Sequence, residues 1–246
     1  MASNEIEVGW PAAGAGVVAV GQCRLRVLPG EWDYAHLNAV AIDAHWARRT
    51  AESALLFNGR VFLLSSCAIA GACFEGDFVA ADFKSFLHWR ECGHPEAGVR
   101  DCFGASLIVS SDGAVLLGRQ RPGQVNSGLL YPPSGFIDRS DVAADGGIDI
   151  AGNMSREIVE ETGLDVGLLR WEEGFRIALS GPHVAIGRVA RSRMSANDLR
   201  QAVLGHIARD ERPELASVDT ARSLDEAGPD VPAYARLLLA SVFASG

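Results

Sequence analysis

Stretches of strand-like alternation interleave with stretches of helical spacing along the 246 residues, and that interleaving predicts an α/β protein. Two observations carry the prediction furthest. Phe103 to Ser110 and Ala114 to Gly118 flank Ser111-Asp112-Gly113, a strong turn signal between two strands. Met154, Glu157, Ile158, Glu160 and Glu161 share one side of a helix that Gly163 should stop, because glycine most readily takes the left-handed conformation past a helix end. With 48% hydrophobic residues the chain can bury a full core, as one large domain or two modest ones.

Residues 1–100 read as an N-terminal α+β region. Val17 to Val20 and Arg24 to Leu28 are short strands, the second broken by Pro29-Gly30. A helix is expected over Tyr34 to Ser53, with Leu37, Val40, Ala41 and Ala44 at helical spacing. Leu55 to Ser65 and Gly71 to Val79 are extended, and Asp82 is placed to cap a short helix through Arg90. Trp32, Trp46 and Trp89 are expected to pack this region together. His36, His45 and His88 have no second metal ligand at a diagnostic spacing and are read as surface or hydrogen-bonded core residues. Gly14, Gly16 and Gly21 do not have the spacing of a phosphate-binding loop, so they read as a lead into a strand.

The segment Gly93 to Gly98 marks the boundary with a second domain, 101–246. Beyond the hairpin, Leu129 to Tyr131 leads into Pro-Pro-Ser-Gly, and the glutamate helix follows. Trp171 to Leu179 and His183 to Ala190 are strands around Ser180-Gly181-Pro182. Met194 to Ile207 is helical with a Ser195 cap, Leu215 to Val218 is a last strand, and Tyr234 to Phe243 is a terminal helix.

The net charge of −9 disfavours a nucleic-acid backbone or an anionic membrane surface as partner, since both reward a basic face. The five cysteines are odd in number and include no C-x-x-C pair, which fits reduced thiols in a cytoplasmic protein. The apolar run near Val17 to Val20 is too short to span a membrane, and the acidic Glu5 and Glu7 precede it where a signal peptide would be basic.

Glu157, Glu160 and Glu161 fall on one helical face in the last turn, where the helix carbonyls are already partly negative and like charges at i, i+4 repel. Arg156 offsets part of this, and a hard divalent cation offsets far more. The stretch Arg156 to Leu164, Arg-Glu-Ile-Val-Glu-Glu-Thr-Gly-Leu, resembles the core of the Nudix box at all seven specified positions. Upstream the match departs. Twenty residues separate Gly135 from Arg156 where the family pattern has thirteen, and Ile148 stands where the pattern has its first glutamate. The neighbouring Asp149 is read as the helix N-cap in preference to a ligand.

The resemblance implies an α/β/α sandwich with a mixed sheet, the box forming a loop and a helix. It implies hydrolysis of a nucleoside diphosphate linked to another moiety, with Mg²⁺ or Mn²⁺ as cofactor. By position it implies Glu157, Glu160 and Glu161 as metal ligands, Arg156 as their orienting partner, Glu157 as the leading general base and the Gly135 carbonyl as a further ligand. A further carboxylate often follows the box helix in this family, and Glu214 is the choice for it. Arg119 and Arg121 lie just after a strand, either as a diphosphate clamp or as surface residues. Leu56 to Gly59 and Asp82 to Leu87 are similar to the nucleotide-sugar branch related to UDP-glucose diphosphatases, which makes a UDP-sugar, cleaved to UMP and sugar phosphate, the favoured substrate. ADP-ribose, coenzyme A and dinucleotides are the alternatives, as is a degenerate domain that binds a nucleotide without cleaving it. Residues 1–100 serve as a substrate cover or as a homodimer contact.

Overall fold

The computed structural model describes residues 16–53 and 56–244. Strands β1 (Gly16–Val20) and β2 (Gln22–Glu31) precede helices α1 (Asp33–Leu37) and α2 (Ala39–Glu52). Strands β3 (Arg60–Ala70) and β4 (Cys73–Asp82) lead into α3 (Phe83–Glu91). There follow β5 (Asp101–Val109), β6 (Val115–Gln120), the short β7 (Leu130–Tyr131) and β8 (Ser134–Phe136), and the glutamate helix α4 (Ile150–Thr162). The chain ends through β9 (Arg170–Trp171), β10 (Phe175–Ser180), β11 (His183–Arg191), α5 (Ala196–Ile207), β12 (Leu215–Ala221), α6 (Leu224–Ala227) and α7 (Ala233–Phe243).

The larger sheet has the order β1-β10-β11-β5-β6-β12, with β7, β8 and β9 on β6, β5 and β11. It is mixed, since β11 and β5 run parallel while β10 and β11 are antiparallel. Strand β5 lies inside it and is buried along its whole length. Alternation sends Phe103, Ala105, Leu107 and Val109 toward Leu238 and Leu239 of α7. On the other face Cys102 meets Ile150 and Met154 of α4, and Ile108 meets Ile158 together with Leu199 and Val203 of α5. Helices on both faces of one mixed sheet make the α/β/α sandwich. Each large apolar side chain so buried is worth about 1.5–3 kcal/mol.

A second sheet, β2-β4-β3, packs Leu25, Phe62, Leu64, Phe74 and Phe78 into the same core as Cys102, Ile177 and Ile186. Its other face holds Trp32, Val61, Leu63, Phe86 and Trp89. Trp32 meets Trp89 edge to face at 5.8 Å and Trp46 meets Phe83 at 6.3 Å, so the tryptophans pack this region as expected. Strand β1 sits in the larger sheet, paired with β10. All five cysteines are free, and burial pushes Cys23 up to about 12 and Cys67 up to about 11. Among the described residues no helix is long and apolar enough to cross a membrane.

Several local expectations are corrected. Pro29-Gly30 does not end β2, which continues to Glu31 through an irregularity after Val27 that absorbs the break. The expected helix over 34–53 divides at Asn38, whose φ of −117° and ψ of 15° leave the helical region. Leu37 and Val40 face solvent, at 82% and 87% exposure, while Ile42 and His45 are buried. His45 Nε2 lies 2.7 Å from Glu91 at the end of α3, and this contact turns the other face of α2 inward. Asp82 does not cap α3 with its side chain; the Lys84 amide donates instead to Asn58 Oδ1 at 2.8 Å. The strand expected from Leu55 begins at Arg60. Leu55, Glu5, Glu7 and Gly14 lie outside the described residues.

Gly163 ends α4 with φ at +66°, and a Cβ there would come within 2.4 Å of His206 Nδ1. Gly163→Ala is therefore expected to lower stability by about 1–3 kcal/mol, read from chemical denaturation midpoints.

Candidate functional site

Helix α4 is fixed at both ends. Asp149 Oδ1 accepts from the Gly152 amide at 2.9 Å, which makes Asp149 the N-cap, and Gly163 closes the other end. Met154 and Ile158 anchor the helix to the sheet. That rotation buries Glu157 and Glu161 and leaves Glu160 at the surface. Strand β8, paired with β5, brings Ser134 and Gly135 against these carboxylates. Glu161 Oε2 accepts from the Ser134 amide at 3.2 Å, and a Cβ on Gly135 would lie 2.1 Å from Glu157 Cδ. Only a glycine allows this approach.

Arg156 reaches four carboxylates: Glu157 at 2.7 Å, Glu160 at 3.1 Å, Asp141 at 3.1 Å and Asp138 at 3.8 Å. Asp141 was not singled out from the sequence. It lies in a 3-10 turn, Arg139–Asp141, inside the longer loop between Gly135 and Arg156. Asp141 Oδ2 also accepts from the Asp138 amide and from Asn153 Nδ2, each at 3.0 Å. The inserted loop thus supplies a buried carboxylate that orients the arginine. The acid pair Asp138 and Asp141, three residues apart at a helical turn, is the sequence signal for it. Ile148 brings no carboxylate, since it packs into the core and its amide donates to Leu25 O at 2.9 Å.

Burial pushes Glu157 up to about 7, Arg156 offsets this in part, and Glu160 and Glu214 add to it. Burial likewise holds Glu161 well above the usual carboxylate range, with Glu157 and Glu214 adding repulsion. Glu214 belongs to an exposed residue by area, yet its carboxyl lines the same cavity, where burial leads an upward shift and Glu160 adds to it. The donor chemistry is that of a hard divalent cation, namely oxygen ligands whose mutual repulsion a positive charge relieves. Among the described residues no group of three or more His, Cys, Asp or Glu closes around a common point. Glu157 is held by Arg156 and Glu161 by the Ser134 amide. The fit to a cation therefore lies in residue chemistry and in the Gly135 cradle, and the coordination geometry is not formed.

Glu157, Glu160, Glu161 and Glu214 share one wall of a cavity of about 340 Å³. Gly135, Ser134 and Arg156 lie beside them. Arg119 and Arg121 do not reach the cavity, and strand alternation is the reason. Gln120 points in, while Arg119 pairs with Asp230 at 2.9 Å and Arg121 Nη1 donates to Pro213 O at 3.3 Å. Arg90 of α3 lines the cavity instead, its Nη2 donating to Asn126 Oδ1 at 2.6 Å. Leu56, Phe57 and Phe83 also contribute to the wall, so the first hundred residues take part in it.

Asp101 and His183 line the cavity side by side, paired in register at the starts of β5 and β11. Their closest charged atoms are 3.9 Å apart, too far for a hydrogen bond. Burial pushes Asp101 up to about 7 and His183 down to about 4, His94 and Arg90 reinforcing the latter, so both shifts favour neutral forms over an ion pair.

No protein-family model matches the chain, and no curated protein matches it. Among solved structures it is similar to the Nudix hydrolase RenU from M. smegmatis, at 16% identity and a TM-score of 0.39, over 59% of this chain and 87% of that one. It is similar to the MutT protein from Methanosarcina mazei Go1, at 19% identity and a TM-score of 0.35, over 59% of this chain and 94% of that one. A Nudix hydrolase from Nitrosomonas europaea matches at 17% identity and a TM-score of 0.37, over 60% and 90% of the two chains. At these TM-scores they are similarities and nothing more. The α/β/α class rests on the sheet order and on the helices covering both faces.

Asp101 binds a proton more tightly in the folded chain than unfolded, so the stability present below pH about 4 is progressively lost as the pH rises toward about 7. Denaturation of wild type and Asp101→Asn at pH 5 and pH 7.5 is expected to show a smaller loss in the variant, the difference being on the order of 2–3 kcal/mol.

Proposed function

We propose that this protein hydrolyses the diphosphate bond of a nucleoside diphosphate linked to another moiety, with Mg²⁺ or Mn²⁺, a UDP-sugar being the favoured substrate. The observation that carries this reading is the burial of Glu157 and Glu161 in one cavity with Glu160 and Glu214, with Gly135 packed against the Glu157 carboxylate. Surface acids on a solvated helix face would not be desolvated in this way. Glu157, Glu160 and Glu161 are also among the residues that match the core of the Nudix box.

Glu157, Glu160, Glu161 and Glu214 would hold the cation. A bound divalent ion would polarise the phosphoryl oxygens and stabilise the leaving phosphate. The chain itself supplies the rest. Arg156, fixed by Asp141, holds Glu157 in place, and Arg90 offers a second positive charge to an anionic substrate. Glu157, seated against Gly135 and paired with Arg156, would be the group that takes a proton from the attacking water. Leu56, Phe57 and Phe83 give the N-terminal region a part in covering the bound moiety. The UDP-sugar preference rests on the short sequence matches at 56–59 and 82–87. A second reading, nucleotide binding without cleavage, is favoured by one observation: Ile148 occupies the position of the first box glutamate, and Asp141 serves Arg156.

Product analysis on UDP-sugars, ADP-ribose, coenzyme A and dinucleotides with Mg²⁺ or Mn²⁺ tests both readings. One substrate class should yield a nucleoside monophosphate, with Glu161→Gln and Glu160→Gln slower by at least about 100-fold. Binding without turnover at high Mn²⁺ would favour the second reading.

A further inference from the structure

A different part of the cavity wall carries a buried acid at Asp101. The Asp101 carboxyl is 5% exposed, and its Oδ1 is buried with no hydrogen-bond partner. Its backbone leaves it little freedom, because the Asp101 amide donates to Pro182 O at 2.8 Å and the residue pairs with His183 in register. A buried carboxyl oxygen without a partner, on a residue that lines a cavity, is costly in the free protein and is satisfied when a ligand brings a donor to it.

Donors line the same cavity. Gln120 Oε1 accepts from the Tyr131 hydroxyl at 2.5 Å, which leaves the Gln120 amide NH₂ as a donor. The Arg90 guanidinium lines the same cavity and is close enough to lower the Asp101 pKa against the effect of burial. Phe103 and Tyr234, whose rings meet at 4.9 Å and 77°, add aromatic surface to this wall. Asp101 lies three residues along β5 from Gly104, the partner of Gly135, so it stands about 10 Å from the strand pair that cradles Glu157. A nucleoside spans such a distance.

We propose that Asp101 is a specificity-determining residue that accepts an N–H hydrogen bond from the lactam edge of a nucleobase bound against Phe103 and Tyr234. The chemistry it selects is a ring N–H beside a carbonyl, which uracil and guanine carry and which cytosine and adenine lack. Gln120 and Arg90 donate to a flanking carbonyl oxygen, of which uracil has two and guanine one. Once the carboxyl is ionised, a ring nitrogen with a lone pair in place of the N–H meets it acceptor to acceptor and is rejected, whereas the protonated carboxyl donates to that lone pair and loses the distinction. This rests on the cavity being the nucleotide site, as proposed above, but it requires neither a metal nor turnover.

The test is therefore made on nucleosides, which have no phosphate, in metal-free buffer on the alkaline side of the Asp101 titration at about 7. Uridine, guanosine, cytidine and adenosine are titrated against wild type, Asp101→Asn and Gln120→Ala by ligand-observed NMR, with thermal unfolding of each variant as the folding control. Uridine, guanosine or both are expected to bind wild type about ten-fold more tightly than cytidine and adenosine, and which of the two binds identifies the base. Asp101→Asn should bring the four within about three-fold of one another, while Gln120→Ala weakens the lactam bases. The proposal is overturned if no nucleoside binds, if cytidine or adenosine binds as well as the lactam bases, or if the preference survives in Asp101→Asn. Base selection without hydrolysis of any diphosphate would sink the hydrolase reading alone, and hydrolysis without base selection would sink this one alone.

Discussion

The desolvation of two glutamates one helical turn apart is the constraint on which the site depends. Taking a carboxylate out of water costs several kcal/mol unless something replaces the lost hydration, and a second carboxylate at i, i+4 adds repulsion. Glu157 and Glu161 meet that cost only in part from within the chain, through Arg156 and the Ser134 amide. Arg156 is shared with Asp141 and Glu160, so one cation serves several anions. The remaining imbalance appears as the raised proton affinity of both glutamates, and a bound divalent cation would remove it.

The fold explains why the glutamates cannot relax away. Met154 and Ile158 lock one side of α4 onto β5 and its neighbours, which fixes the side that carries Glu157 and Glu161 against β8. Gly104 and Gly135 pair across β5 and β8, and each meets α4 side chains where a Cβ would collide: Asn153 at 2.6 Å for Gly104, and Glu157 at 2.1 Å for Gly135. Two glycines facing each other let the helix come close to the strand pair, and the same approach is what buries the acids. The aromatic residues of the first hundred positions then add a wall to the cavity, so burial at the site draws on both parts of the chain.

Features governed by local sequence were legible. The Asp149 and Ser195 caps, the Gly163 stop, the hairpin around Asp112-Gly113 and the spacing of the glutamates follow from rules that reach a few residues along the chain. Features set by distant partners were not. The outward turn of Leu37 and Val40 depends on His45 finding Glu91. Arg119 and Arg121 follow a strand, but alternation gives the inward place to Gln120, and Arg90, some thirty residues upstream, joins Arg156 in lining the cavity. Asp101 and His183 became neighbours only through the parallel pairing of β5 with β11, which no local pattern announces. Asp141 is not legible either, because the extended loop that carries it has no counterpart in the box pattern, yet it orients Arg156.

The most direct measurement is Mn²⁺ binding followed by electron paramagnetic resonance on wild type, Glu161→Gln and Gly135→Ala. If the buried glutamates form a cation site, wild type takes up Mn²⁺ with defined stoichiometry, and both substitutions weaken uptake by about ten-fold or more while the chain stays folded. Undiminished Mn²⁺ binding in both variants, or none in wild type, would contradict the account and leave α4 as an acidic helix whose glutamates are buried for structural reasons.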